Sequence, residues 1–448
     1  MASTDKDGRP SKQGVAEQSE STLQLWARIE QAGSIENHIR QELATRGLAV
    51  TRKPTEGMNK AELERYKKAL KAEAAEKRKL AKEAWQAYRA THFVHLGEGV
   101  FWNDLIDFDK WDLDDAENRA AENELPRLDK PIQLSKALGI ELGQLRQLVY
   151  HRDAARKLNY RRFTIPKRDG SARAIWAPLP RLKAAQRWVL REILEHLPVH
   201  GAAHAFLIRR SIASNAAVHS NAKMLLELDL KDFFPTVSYR RVKGIFRKAG
   251  YREQLSSLLA LLCTEAPREV VEHDGKRYFV ALGARCLPQG APTSPALTNV
   301  ICMRLDRRLA GLASKLGWRY TRYADDLTFS LPIKHKGKPQ LGKLLGSVMR
   351  IVRDEGFQPH PKKTHVSRKG DRQKVTGLII NAPKGPRCER KLKRMLRSAV
   401  HNLEHGAELR PGESLNTLIG YAAYVAMTEP ELGKAYLARL EALRERFS

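Results

Sequence analysis

The stretch Arg319-Tyr320-Thr321-Arg322-Tyr323-Ala324-Asp325-Asp326-Leu327-Thr328-Phe329-Ser330-Leu331 decides how this chain is read. Two runs rich in aromatic, aliphatic and β-branched residues flank Ala324-Asp325-Asp326, which predicts a hairpin with adjacent carboxylates at its tip. An Asp-Asp pair in a turn is by itself ordinary turn chemistry. Upstream, Met224-Leu225-Leu226-Glu227-Leu228-Asp229-Leu230-Lys231-Asp232-Phe233-Phe234-Pro235 predicts an apolar strand that ends in Asp229 and turns toward a helix. Carboxylates from separate strands that converge at one sheet edge can hold two Mg²⁺ ions about 4 Å apart, because hard divalent cations take oxygen ligands and leave positions open for phosphate. Nucleotidyl transfer needs that arrangement. One ion lowers the pKa of the attacking hydroxyl and the other neutralises charge on the departing pyrophosphate.

The rest of the chain supplies a reason to expect a polyanion. It carries 80 Lys plus Arg against 51 Asp plus Glu, a formal charge of +29, with 42% apolar residues. That is enough apolar material for two or three domains with cores, and the charge calls for nucleic acid or an anionic surface. Residues 1–130 hold 22 basic and 24 acidic side chains, a net −2, so residues 131–448 carry +31 and the polyanion-binding surface. No apolar run approaches the ~20 residues that span a bilayer. The polar first residues also lack the apolar core of a signal peptide. Neither a membrane nor secretion is expected. Cys263, Cys286, Cys302 and Cys388 are too widely separated in sequence for a disulfide framework or paired zinc ligands, and read as reduced thiols of a cytoplasmic protein.

Within the first third, residues 1–21 are polar enough to be expected to lack a fold, and residues 58–90, rich in Ala, Glu, Lys and Leu without Gly or Pro, predict one long helix. Lys67, Lys68, Lys77, Arg78 and Lys79 on it are either a solvated face or an RNA contact. Residues 101–117 combine Trp102, Phe108 and Trp111 with seven carboxylates, read as a solvated acidic face around buried aromatics. A composition shift after Pro126 and helical spacing over residues 132–150, broken at Gly139, place a domain boundary near residue 130.

At the Tyr-Ala-Asp-Asp turn and the strand-end Asp229 the chain resembles the reverse transcriptases, and further motifs follow in the family's order. Ile165-Pro166-Lys167-Arg168-Asp169-Gly170 with Arg173 is similar to the fingers motif, in which a lysine and an arginine clamp the triphosphate. Leu287-Pro288-Gln289-Gly290-Ala291-Pro292-Thr293-Ser294-Pro295 resembles the motif that seats the incoming nucleotide and template base, through Gln289 and Gly290. Residues 356–364 are similar to the next palm motif, with Lys363 as its lysine. Phe234 stands where the family places an aromatic ring under the sugar, which would exclude a ribose 2′-OH; plain core packing is the other reading. Ser294 reads as a helix cap and Asp232 as structural.

Two more motifs resemble signatures of the retron reverse transcriptases: Asn215-Ala216-Ala217-Val218-His219, the Asn-Ala-X-X-His pattern, and Val375-Thr376-Gly377. The resemblance implies an α+β right-hand polymerase: fingers and palm over residues 131–382, with an antiparallel sheet and helices, and a helical thumb over 383–448. A mostly helical extension over residues 1–130 precedes them and looks like that of the longer, myxobacterial-type branch. Asp229, Asp325 and Asp326 would be the catalytic, metal-holding residues. Lys167, Arg173, Phe234, Gln289, Gly290 and Lys363 would bind the dNTP. Asn215, His219, Arg390, Lys393, Arg394 and Arg397 would bind RNA. The implied reaction begins at the 2′-OH of a guanosine in a cognate structured non-coding RNA, copies part of that RNA into DNA, and leaves a branched RNA-linked DNA that works with an accessory effector against phage. A group II intron or non-retron defence enzyme is disfavoured because little sequence follows Ala422 for further domains. A non-catalytic RNA-binding scaffold is disfavoured because all three aspartates are present.

Overall fold

The computed structural model describes residues 22–447 except 48, 51, 92, 94, 95, 98, 99, 101–114, 167–169, 171, 383 and 384. The expectations for residues 1–21, for most of the acidic aromatic segment and for Lys167 lie outside the described residues. By its contacts the chain divides into Met1–Val94 and His95–Ser448.

The first unit contains α1 (Thr22–Gln31), α2 (Ile35–Thr45) and α3 (Lys60–Thr91). Ser34 opens α2 by accepting the Asn37 N–H, which satisfies one of the donors a helix start leaves free. The Gly- and Pro-free composition read above yields α3 as one 32-residue helix.

In the second unit, α4 (Ala116–Glu122), α5 (Pro131–Ala137) and α6 (Leu142–Val149) come first. Gly139, at φ +66°, separates α5 from α6 at the expected break. The division of the chain falls well before the composition shift near residue 130. Its physical reason is packing: Leu96, Val100, Ala116, Leu125 and Leu128 are buried, and Tyr251 Oη donates to Pro126 O at 3.1 Å. Hydrophobic burial, not net charge, decides which unit a segment joins.

There follow β1 (Ala154–Ala155), β2 (Tyr160–Pro166), β3 (Ala172–Pro178), α7 (Pro180–Glu192), α8 (Ile212–Val218) and β4 (Ala222–Asp229). Next come α9 (Tyr239–Lys248), α10 (Glu253–Cys263), β5 (Arg268–His273), β6 (Lys276–Ala281), α11 (Ser294–Ile301) and α12 (Met303–Lys315). The central hairpin is β7 (Arg319–Tyr323) and β8 (Asp326–Pro332), followed by α13 (Leu341–Asp354), β9 (His365–Arg368), β10 (Lys374–Val375) and β11 (Leu378–Ile379). Three α-helices follow, α14 (Arg390–Glu404), α15 (Leu415–Ala426) and α16 (Pro430–Ala442), and a short 3-10 turn over Arg444–Phe447 comes last.

The sheet that positions the site is antiparallel, in the order β7-β8-β4-β9. Its two-residue alternation separates the faces. On one side, Leu226, Leu228, Tyr320, Leu327 and Phe329 are buried, with α12 against β7 and α13 against α12. The opposite face carries Glu227 and Asp229 of β4 and Asp326, Thr328 and Ser330 of β8. At its far end Leu225 joins a core with Val375, Leu378 and residues of α14, α15 and α16. The three C-terminal helices are therefore packed to the sheet through the β10–β11 hairpin. All four cysteines are free, and no helix among the described residues is long and apolar enough to cross a membrane.

Candidate active site

The register of β4 and β8 sets Asp229 directly across from Asp326. The turn between β7 and β8 adds Asp325, whose carbonyl accepts the Leu230 N–H at 3.0 Å and so ties the tip to the end of β4. The three aspartates meet at one end of the sheet, as the sequence predicts. Burial, then the charges of Asp325 and Asp229, push the Asp326 carboxyl up to about 7. Asp325 is raised too, by burial foremost and by Asp229, against the opposing charges of Lys363 and Arg173. These are carboxylates gathered faster than local positive charge offsets them.

Lys363 supplies part of that charge, with Nζ 2.8 Å from Asp229 Oδ2. Its loop is laced to the end of β4: the Lys231 N–H donates to Gln358 O at 2.8 Å, and the His360 N–H to Asp229 O at 2.7 Å. Beside the aspartates opens a polar cleft of about 580 Å³ whose walls include Glu227, Thr328, Lys363, Arg372 and Lys374. Glu227, two residues before Asp229 on the same strand face, is raised to about 7 by burial and by Asp326. The sequence reading passed over it, although β-alternation alone puts it on the face of Asp229.

Arg173 is exposed on β3 and acts electrostatically on Asp325. Gln289 O accepts the Trp176 N–H of β3 at 2.7 Å. Gly290, at φ +119°, has Trp176 O 2.8 Å from where a Cβ would stand. The close approach that demands this glycine is therefore made by strand β3, which docks the β2–β3 hairpin onto the 287–295 loop. Ser294 lies one residue inside α11 and donates to Pro288 O at 2.8 Å, so it braces the loop and does not cap the helix. Phe233 is buried against Phe357, with ring centroids 5.5 Å apart, while Phe234 is half-buried. Asp232, exposed at φ +48°, is a turn residue, as its structural reading requires.

Comparison with known proteins matches residues 165–380 to the family described as "Reverse transcriptase (RNA-dependent DNA polymerase)". The chain is 48% identical over 425 residues to the retron Mx162 reverse transcriptase of Myxococcus xanthus, covering 93% of this chain and 88% of that protein. It belongs to the retron reverse transcriptases. The retron Mx65 enzyme of Myxococcus xanthus is 41% identical (69% of this chain, 72% of that one), and the retron Ec86 enzyme of Escherichia coli 33% (71% and 91%). The protein is an RNA-directed DNA polymerase with the reverse transcriptase fold.

The two retron signatures meet inside this retron reverse transcriptase. Asn215 of α8 and His219, which caps its C-terminal end, are both fully buried. Thr321 Oγ1 donates to Asn215 Oδ1 at 2.6 Å, and His219 lies 2.7 Å from both Thr321 Oγ1 (through Nε2) and Ser330 Oγ (through Nδ1). Because the single Thr321 hydroxyl proton goes to Asn215, His219 donates from Nε2 and accepts at Nδ1. Burial, with His204 and Arg319 nearby, lowers its pKa to about 3 and keeps it neutral. The expectation that these two side chains contact RNA is corrected here: neither reaches the surface, and both bond the β7–β8 hairpin instead. Thr376 Oγ1 of the second signature donates to Ile212 O of α8 at 3.1 Å. Gly377 O accepts from Tyr424 Oη of α15 at 3.3 Å, and a Cβ on Gly377 would stand 2.9 Å from that oxygen. The Val-Thr-Gly turn thus joins α8 to the C-terminal helices.

On α14 the retron reverse transcriptase exposes Arg390, Arg394 and Arg397. Lys393 differs: its Nζ is 2.8 and 2.9 Å from the Glu429 carboxylate oxygens, and its side chain is 21% exposed. It is an internal tie between α14 and the start of α16, which removes it from the free basic surface.

The donor set at the sheet end, all carboxylate oxygen, with Asp325 and Asp326 raised by burial and by their acidic neighbours, suits Mg²⁺. Among the described residues no three acidic, His or Cys side chains are already drawn around a single ion position, and Asp229 is turned onto Lys363.

Proposed function

We propose that this retron reverse transcriptase starts from the 2′-OH of a guanosine in a cognate structured non-coding RNA, copies part of that RNA into DNA, and leaves a branched RNA-linked single-stranded DNA. The observation that carries the reading is the convergence of Asp229, Asp325 and Asp326 beside Lys363 at one end of an antiparallel sheet. These aspartates would hold two Mg²⁺ ions, which supply an acidified attacking hydroxyl and a counter-charge for the leaving pyrophosphate. Arg173, with Lys167, binds the triphosphate of the dNTP, and Lys363 shares its charge between Asp229 and the substrate phosphates. Gln289, through its bond to β3, and Gly290, through the close approach of that strand, hold the nucleotide pocket, and Phe234 walls off the 2′ position of the incoming sugar. Residues 131–382 act as fingers and palm, residues 383–448 as the thumb, and Arg390, Arg394 and Arg397 follow the RNA backbone. The free thiols support a cytoplasmic setting. Joint action with an effector protein in defence against phage, with the extension over residues 1–130 taking part in assembly, completes the proposal.

The test is to sequence the nucleic acid that co-purifies with the protein and treat it with a debranching enzyme. DNA joined to RNA through a bond that this enzyme cleaves supports the reading. DNA bearing only 3′,5′ linkages to its primer would overturn it in favour of a different reverse transcriptase reaction.

A further inference from the structure

Arg322 and Asp306 form an ion pair whose side chains are 0% exposed, directly behind the carboxylate turn. A buried pair of this kind is a weak source of stability, since desolvating two charges roughly cancels their attraction and apolar replacements are often neutral or better. Its hydrogen bonds indicate another use. Arg322 Nε lies 2.9 Å from Asp306 Oδ1, and Nη2 lies 2.7 Å from Oδ2, a bidentate fork on α12. Nη1 is left over, and it donates to Asn299 Oδ1 of α11 at 3.1 Å and to Ala324 O at 3.2 Å. Tyr320 Oη steadies Asp306 from the same strand at 2.8 Å. Asn299 is itself held through Nδ2 to Ala205 O at 2.9 Å.

The end of that chain of bonds is the turn itself. Ala324 precedes Asp325 and sits at φ +56°, a left-handed conformation that a residue with a Cβ holds only when its surroundings impose it. Its carbonyl is the group that Arg322 holds. α11, the helix on the other side of the guanidinium, grows directly from the 287–295 loop that resembles the nucleotide seat.

We propose that Arg322 is a positioning residue for nucleotidyl transfer: its guanidinium, oriented by Asp306, fixes the Ala324-Asp325 peptide and couples the carboxylate turn to the helix of the nucleotide loop. The inference rests on the reading of Asp325 and Asp326 as the metal-holding pair. Arginine is needed because one planar fork must serve a carboxylate, an amide and a peptide carbonyl at once. A misplacement of about 1 Å in a catalytic constellation can cost 10²-fold in rate.

The experiment compares the parent with the double variant Arg322→Met/Asp306→Leu, which removes both charges together, and with Arg322→Lys, which keeps a charge for Asp306 but cannot fork. Fold is followed by thermal unfolding, and extension of an annealed RNA-templated primer by kcat and KM for dNTP. Mn²⁺ binding is followed by electron paramagnetic resonance, with Asp325→Asn/Asp326→Asn as the control. The expected result is that the folded variants lose about 100-fold in kcat with little change in KM and bind Mn²⁺ several-fold more weakly. Parental kcat and Mn²⁺ affinity in either folded variant would overturn the proposal. So would failure of both variants to fold, which would assign the pair to the core. If the Asp325→Asn/Asp326→Asn control itself polymerises normally, it is the catalytic reading of the aspartates that fails.

Discussion

Lys363 Nζ lies 2.8 Å from Asp229 Oδ2, which gives the cluster of three aspartates an internal counter-charge on a side chain that remains 57% exposed. The lysine and a divalent cation therefore answer the same repulsion. Lys363→Met should unfold at a lower temperature than the parent in chelator and gain more from added Mg²⁺, because a ligand that binds only the folded state stabilises most where its site is least satisfied. Thermal unfolding with and without Mg²⁺ checks this. Equal midpoints in chelator would mean that Lys363 offsets none of the repulsion.

The buried His219 makes stability depend on pH. Its pKa is about 3 in the fold against an ordinary 6.5, so between those values the unfolded chain binds the extra proton. Stability contributed by this site is full above pH 6.5 and is lost as pH falls toward 3, with a limiting slope of about 1.4 kcal/mol per pH unit for one proton. His204, lowered to about 4 by burial and Arg210, adds a smaller total loss in the same direction. Denaturant unfolding at pH 7 and pH 5 should show a smaller loss for His219→Gln than for the parent. An identical loss would contradict the neutral, hydrogen-bonded histidine described above.

Phe233 and Phe234 should separate cleanly. Phe233→Ala removes a fully packed ring and should cost about 3–5 kcal/mol of stability. Phe234→Ala, half-buried, should cost distinctly less and instead raise ribonucleotide incorporation relative to deoxynucleotide. Matched dNTP and NTP primer-extension assays measure the ratio. An unchanged ratio would reduce Phe234 to a packing residue.

On α14, charge reversal at Arg390, Arg394 and Arg397 should weaken RNA binding. It should also reduce the slope of log affinity against log salt by roughly one unit or less for each phosphate that is no longer neutralised. Lys393→Glu should act differently, because it places a like charge against Glu429 and destabilises the helix pair. Salt titrations of RNA affinity, read beside thermal unfolding, distinguish the two effects. A uniform loss of affinity across all four variants with no change in stability would contradict the assignment of Lys393 to the interior.

What the sequence made legible was local. The 319–331 hairpin, the strand ending in Asp229, the long α3 and the Gly139 break follow from period, propensity and turn chemistry within about ten residues. What it hid was the partner of each polar side chain. Asn215 meets Thr321 across 106 positions and Lys393 meets Glu429 across 36, and nothing in a short helical pattern tells such bonds from solvation. Arg322 looks like one more basic residue in a basic chain until Asp306, 16 residues earlier on a helix, is brought against it. Gly290 stands out in the sequence as a point of close approach, but the approaching group, Trp176 O, comes from a strand far upstream.

The most direct measurement is primer extension by Asp325→Asn/Asp326→Asn on an annealed RNA template, with folding and RNA affinity measured on the same preparation. Removing both charges from the turn leaves the basic surface untouched, so the expected result is a folded protein that binds RNA as the parent does and makes no detectable DNA. Extension near the parental rate by that folded variant would contradict the assignment of the sheet-end aspartates as the catalytic centre.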